Sequence, residues 1–344
     1  MKRHLVILLV LLLIIPIFAM AKKPKANGRP TWVDDPKSEY PESRYLSAVG
    51  SAGSRAEAEN NAAANLAKIF RSEISTSTSY VERYNELMSE TKSEASTETQ
   101  SSKNVQVKAS QNLLNIEIGK AWTDKLGQVY AVAYLDKFKT ADIYEEKINE
   151  NSLQIQHYLQ QGLVSSHTWK IYACYNIAGI INQNTEELMS QLAIISLDTK
   201  ESIELGYEPN ELKSRTAEFA KGIHFKIETT GDAADKVTSV IEEIITSSGF
   251  TLSDLNAAFI KVETKLEDVE LNQPQKFVRY YLTINVCDPS GNNIITLSEN
   301  SREGHINQDE ARARAIRTMS NKIKAELRNK LFKYFDSLVI TKKP

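Results

Sequence analysis

At 344 residues, with 42 basic against 44 acidic side chains, the chain is long enough for two cores and nearly neutral. A net charge of −2 excludes a protein that holds nucleic acid by its bulk field. Two cysteines exclude a disulfide framework, and the absence of long like-charge blocks excludes a largely unstructured chain.

The first element is a secretory leader, residues 1–21. Lys2, Arg3 and His4 form its basic start, and Leu5 to Phe18 is apolar apart from Pro16. Ala19-Met20-Ala21 supplies the small residues a signal peptidase needs. The apolar run is about fourteen residues, short of the ~20 of a bilayer span, so cleavage after Ala21 is expected rather than anchoring. Residues 22–43 read as a linker punctuated by Pro24, Gly28, Pro30, Pro36 and Pro41, with Trp32 and Val33 expected to dock on the domain behind it. No cysteine precedes Cys174 to carry a lipid, so the mature chain is expected in the periplasm, soluble or peripherally attached to the outer membrane. Cys174 and Cys287 leave two readings, one long-range disulfide or two buried free thiols.

Residues 44–139 are expected to form an α+β domain. A strand over Arg44 to Val49 enters the turn Gly50 to Ser54, and Ser54 and Glu57 have capping-box spacing. Ala58, Ala62, Leu66 and Ile69 should then face a sheet. Ile74 to Val81 has strand composition, and Met88 to Lys103 is polar enough for either a loop or an exposed ribbon. Leu113 to Trp122 and Gln128 to Phe138 read as a hairpin around Asp124 to Gly127. The expected order is one strand, one helix and three strands.

Residues 140–221 are expected to be a helical hairpin. Ile143, Ile148, Leu153, Ile155 and Leu159 mark a long amphipathic helix ending near Gly162. A second runs from Trp169 to Leu197, and a short third covers Leu212 to Phe219 around a break at Pro209. The apolar stripe is either internal core or a self-association seam.

Residues 222–340 repeat the logic of the first domain, with a strand over Ile223 to Thr229, a helix over Asp232 to Ser247 and three longer strands. Val278, Tyr280, Leu282, Ile284 and Val286 alternate with polar or aromatic neighbours. A final helix opens at Asn307 and Glu310 and sets Ala311, Ala315, Met319, Ile323, Leu327 and Leu331 on one face. The fold class is thus α+β: two small domains, each a helix packed on an antiparallel sheet, separated by a helical hairpin. A duplicated unit and shared helix-on-sheet packing both explain the likeness of the two domains.

Little of the chemistry-bearing inventory converges. The Gly50 to Ser54 turn lacks the Lys-Ser/Thr pair of a phosphate loop and misses a nucleophile elbow by one position. His157, His167, His224 and His305 have no second ligand at metal spacing. Glu242-Glu243 and Glu267-Asp268 lack apolar surroundings that would raise a pKa. No catalytic residue, cofactor or metal site is therefore expected. Arg312, Arg314, Arg317, Lys322, Lys324, Arg328 and Lys330 form a basic helix face, either solvated or meeting an acidic partner or anionic lipid.

Residues 30–139 resemble the LPP-twenty type of bacterial envelope lipoprotein. The likeness rests on the Pro30-Thr31-Trp32 anchor, the Ala48-Val49-Gly50 turn, the alanine-spaced helix and the closing strand Tyr130 to Asp136. The lipidation cysteine is missing. The C-terminal section is similar, more loosely, to domains of the curli-secretion group. The resemblance implies an outer-membrane or cell-surface protein, some relatives being scaffolding parts of flagellar rings, and it carries over no catalytic residue. The expected function is a non-enzymatic envelope scaffold or adaptor whose partners are other envelope proteins or a second copy, and not nucleic acid. The alternative is a periplasmic ligand- or peptide-binding protein using the groove between the domains.

Overall fold

The computed structural model describes residues 28–70, 78–91 and 113–340, so the expected leader lies outside them. The described chain divides into two compact units, one of 28–67 and 116–135, the other of the rest.

The first unit opens with a short helix α1 (Thr31–Asp34) and a 3-10 turn at Pro36–Ser38, where a featureless linker was expected. Asp35 starts that turn by accepting the Lys37 amide at 3.2 Å. Trp32 is 2% exposed and packs with Val33 and Val132, flanked by Tyr40, Val49, Trp122 and Tyr130. The docking read from the sequence therefore holds. β1 (Tyr45–Ala52) leads to α2 (Arg55–Ala67), where Ser54 Oγ accepts the Glu57 amide at 3.3 Å. Ala58, Ala62 and Leu66 are fully buried as expected, but Ile69 is 41% exposed. The helix tightens into a 3-10 turn over Lys68–Phe70, which breaks the 3.6-residue period and turns Phe70 inward.

Gly50 is where α2 meets β1: a Cβ there would overlap the backbone of Ala58, Asn61 and Ala62. Asn61 and Asn65 side chains donate to the Ser51 and Val49 carbonyls at 3.0 and 2.9 Å, fastening helix to strand. Gly50→Ala should push the two elements apart and cost about 2–3 kcal/mol. A urea titration reporting an unchanged midpoint would refute that account of the glycine.

β2 (Glu117–Thr123) and β3 (Val129–Asp136) form the expected antiparallel hairpin, and the sheet order is β1-β3-β2. The fourth strand is absent from the described residues. Thr78–Thr91 is a helix, α3, so the expected strand is wrong over 78–81, while 74–77 lie outside the described residues. Tyr84, Leu87 and Met88 fall at helical spacing and are buried, which outweighs the strand propensity of the preceding Ser and Thr run. Residues 88–91 of the expected loop belong to this helix; 92–103 are outside the described residues.

The second unit holds both the helical section and the C-terminal sheet. α4 (Lys137–Val164) starts at Asp136, whose carboxylate accepts the Phe138 and Lys139 amides. The turn Ser165–His167 reverses the chain into α5 (Thr168–Ile195), and Gly162 lets the two helices close, a Cβ there meeting the Tyr175 ring at 3.0 Å. α6 (Leu197–Ser202) follows, then α7 (Pro209–Lys221), for which Pro209 is the first residue rather than a break.

The C-terminal sheet contains β4 (His224–Gly231), β5 (Thr251–Leu252), β6 (Ala258–Val269), β7 (Lys276–Cys287) and β8 (Asn293–His305), in the order β5-β4-β6-β7-β8. β4 runs parallel to β5 and β6, whereas β6, β7 and β8 are antiparallel. This sheet is mixed, not antiparallel as expected, because α8 (Ala234–Ser247) is a crossover that returns the chain in the direction of β4. α9 (Gln308–Ser337) is capped by Asn307 Oδ1, which accepts the Asp309 and Glu310 amides. Its six predicted inward residues are all at most 1% exposed, and Phe335 extends the row. Trp169, Tyr172 and Ala173 of α5 enter the same core as Phe225, Ile241, Leu282 and Met319. The helical section expected as a separate piece is continuous with the C-terminal fold.

Candidate functional site

The groups singled out in the sequence are dispersed. His157 is exposed on α4, 2.8 Å from Gln161 Nε2, and His305 Nδ1 accepts the Asn307 amide at 3.2 Å. Among the described residues no group of three or more His, Cys, Asp or Glu is placed to hold a metal ion. Cys174 is buried, Cys287 is half-buried and both are free. Burial pushes the Cys174 thiol up, away from the thiolate form that reacts.

The basic face of α9 is largely neutralised. Arg312 grips Asp268 at 2.9 Å, Arg317 pairs with Glu310, Lys322 with Glu299 and Glu326, and Lys324 with Glu243. Arg314 donates to the Gly304 carbonyl at 3.2 Å, and Arg328 lies over the Phe332 ring at 5.6 Å. The carboxylates perturbed by these and neighbouring contacts all move the same way. Lys265 holds Glu267, Arg312 holds Asp268, and the Asn292 amide groups hold Asp288 below the usual carboxylate range. General-acid work needs the opposite shift.

Concavities open on the second unit among the described residues. A cleft of 590 Å³ runs between α8 and α9, with Val240, Ala313 and Ile316 inside and Lys236, Glu310 and Arg317 around it. A second, of 670 Å³, lies where the loops at one end of the sheet meet the start of α5. It brings together His167, Trp169, His224, Leu255, Asp288 and Tyr334, residues far apart in sequence. His224 Nδ1 donates to the Leu255 carbonyl at 2.9 Å, which leaves Nε2 as the ring's other polar atom. Trp169 and Tyr334 meet edge to face at 5.9 Å, and burial raises the Tyr334 pKa. The sequence reading missed this cleft, since no local motif marks it.

The apolar stripe of α4 is internal. Ile148 and Ile155 are fully buried, but Leu153 is 69% exposed and does not belong to it. Inward positions on α4 run 140–141, 144, 148, 151–152, 155, 158 and 162, a spacing that Leu153 misses. Several of these are polar. Asn151 accepts from Tyr84 at 2.9 Å and donates to Asn184 at 3.0 Å, Ser152 donates to the Leu205 carbonyl, and Tyr144 donates to Gln191 at 2.5 Å. α3 closes over the same layer with Tyr84, Leu87 and Met88, and Arg83 pairs with Asp336 at 2.5 Å.

This layer makes a pH prediction. Burial raises the pKa of Tyr84, Tyr144 and Tyr158, and pushes Tyr207 up to about 12. A raised tyrosine stabilises the fold fully below its unfolded value near 10, and that contribution is lost as pH climbs through the folded value. Melting temperature should hold to about pH 10 and fall above it, with tyrosinate absorbance lagging that of the unfolded chain. Ordinary titration of these four residues, with no alkaline loss, would contradict the buried hydroxyl network.

No curated protein matches the chain. The crystal structure of a minor lipoprotein from Acinetobacter baumannii is 17% identical over 33% of this chain and 95% of that one, with a TM-score of 0.28. That of a secreted protein from Helicobacter pylori is 14% identical over 87% of this chain and 99% of that one, with a TM-score of 0.35. The segment that supplies Trp32, β1, α2 and the β2–β3 hairpin is lipoprotein-like and envelope-associated, since residues 30–136 match the family model of the LPP20 lipoprotein.

Proposed function

We propose that this chain is an exported, non-enzymatic scaffold or adaptor of the bacterial envelope, acting in the periplasm or at the outer membrane. The observation that carries it is the lipoprotein-type match over residues 30–136, behind an N-terminal sequence with the pattern of a secretory leader. Support comes also from the charges: the shifted carboxylates are held ionised by cations and amides, and Arg312, Arg317, Lys322 and Lys324 of the basic face of α9 are engaged in internal pairs. The molecule works by holding other proteins.

Cross-linking in intact cells, followed by mass spectrometry, should recover envelope proteins, and N-terminal sequencing should begin at Lys22. Retention of Met1, or a chain found alone, would overturn the reading. A second reading rests on the 670 Å³ cleft, whose Trp169 and Tyr334 rings beside two histidines suit a small ligand. Saturable binding of a small molecule, abolished by Trp169→Ala in a folded protein, would favour it.

A further inference from the structure

The 670 Å³ cleft lies where the long helix α5 begins. Ser166, His167, Thr168, Trp169 and Lys170 all line it, so the first turn of a 28-residue helix faces its space. His167, at the capping position, makes no side-chain bond to that turn. The first helix amide to find a carbonyl is that of Ile171, which donates to His167 at 2.9 Å. The amides of Thr168, Trp169 and Lys170 thus stand without an acceptor among the described residues, at the positive end of the helix dipole.

A second donor reaches the cleft from the core. Trp169 is 6% exposed, wedged among Phe225, Tyr334 and Phe335, yet it lines the cleft. Its indole Nε1–H bonds to no described residue and is not sealed inside the core, so it opens on the cleft. An indole nitrogen only donates, and a buried N–H held at a cavity wall calls for an acceptor. Lys170 is exposed beside it and pairs with no described carboxylate. The one carboxylate in the lining, Asp288, is turned onto its own hairpin, where its oxygens accept the Asn292 amide and side chain at 2.8 and 2.9 Å.

We propose that this cleft is a binding site for a small organic carboxylate. The carboxylate takes hydrogen bonds from the first amides of α5 and from Trp169 Nε1, Lys170 supplies the countercharge, and the apolar body lies against Tyr334, Leu255 and Pro289. Every unpartnered group of Trp169 and of the helix start is a donor, which selects an anion over a neutral polar molecule. The volume suits an organic molecule and far exceeds a bare ion. Asp288 limits the charge, since a dianionic phosphate would stand against its carboxylate, whereas a single charge is matched by Lys170 and the helix end. The proposal rests on the small-ligand reading of this cleft and names the class of ligand.

The test is calorimetric titration of residues 22–344 with naphthoate, octanoate and the neutral amides of both. At least one acid should bind saturably, with its amide about tenfold weaker or more. Trp169→Phe keeps a ring in the core and removes the N–H; in a protein that circular dichroism shows to be folded, it should weaken the acid about fivefold or more. Lys170→Glu, at an exposed position, should melt as the parent does and weaken the acid about tenfold at low salt. An acid whose affinity neither variant changes binds elsewhere, and that result overturns the proposal. Acid and amide bound alike, both lost in folded Trp169→Ala, would sink the carboxylate and leave a ligand cleft. Saturable binding of none of the four compounds would sink both.

Discussion

Ile155→Glu is expected to unfold the helical layer of the second unit. Ile155 is 0% exposed and shares a cluster with Tyr158, Tyr175, Ile177 and Ile181 of the helical pair and with Leu87 of α3. A carboxylate there would be buried without a cation, so the chain must either protonate it or expose the core. The cost should exceed about 4 kcal/mol, a large share of a domain's stability. Leu153→Glu, on the same helix, is the matched control. With 69% exposure it should change stability by no more than about 0.5 kcal/mol. Thermal unfolding followed by circular dichroism reads both. A folded Ile155→Glu protein that had merely lost an oligomer would restore the self-association seam.

Trp32→Ala should be the most damaging truncation in the first unit. The indole is 2% exposed beneath the segment that enters the domain, against Val33 and Val132. Removing it takes away the transfer energy and leaves a cavity, together about 3–5 kcal/mol. The segment from Arg29 to Tyr40 should come loose and be cut early by protease. Arg29 has its own hold on the Trp122 and Tyr130 rings, so Arg29→Ala alone should cost much less. Equal melting temperatures for Trp32→Ala and the parent would mean that the tryptophan serves a partner.

The elements legible in the sequence were those with a single dominant period. β7 alternates strictly and the row on α9 repeats every four residues, so burial follows the pattern almost without exception. Turns with one strong residue were legible too, as at Asp124 and Asn307. What failed did so where tertiary contacts outvote local signals. The Ser and Thr run reads as a strand, yet Tyr84, Leu87 and Met88 pull the chain into α3. On α4, buried Asn151 and Ser152 are invisible to a search for apolar residues, which admitted Leu153 in their place. The mixed sheet depends on which strand the β4 crossover returns beside, and spacing does not encode that. The cleft of Trp169, His224 and Tyr334 is assembled from five distant segments, so no window of sequence contains it.

The first unit is built from two stretches of chain with residues of the second unit between them. Its central strand, β3, begins at Val129, although β1 ends at Ala52. During export β1 and α2 therefore emerge with no sheet to join and must wait for more than sixty further residues. Loop closure of that span precedes any reward from strand pairing, which slows folding and leaves the inner face of α2 uncovered meanwhile. Alanines on that face keep the interval safe: Ala58, Ala62 and Ala63 bury completely in the end but offer little to stick to beforehand. Substitutions that enlarge them would raise aggregation during secretion as well as overpack the contact of α2 with β1.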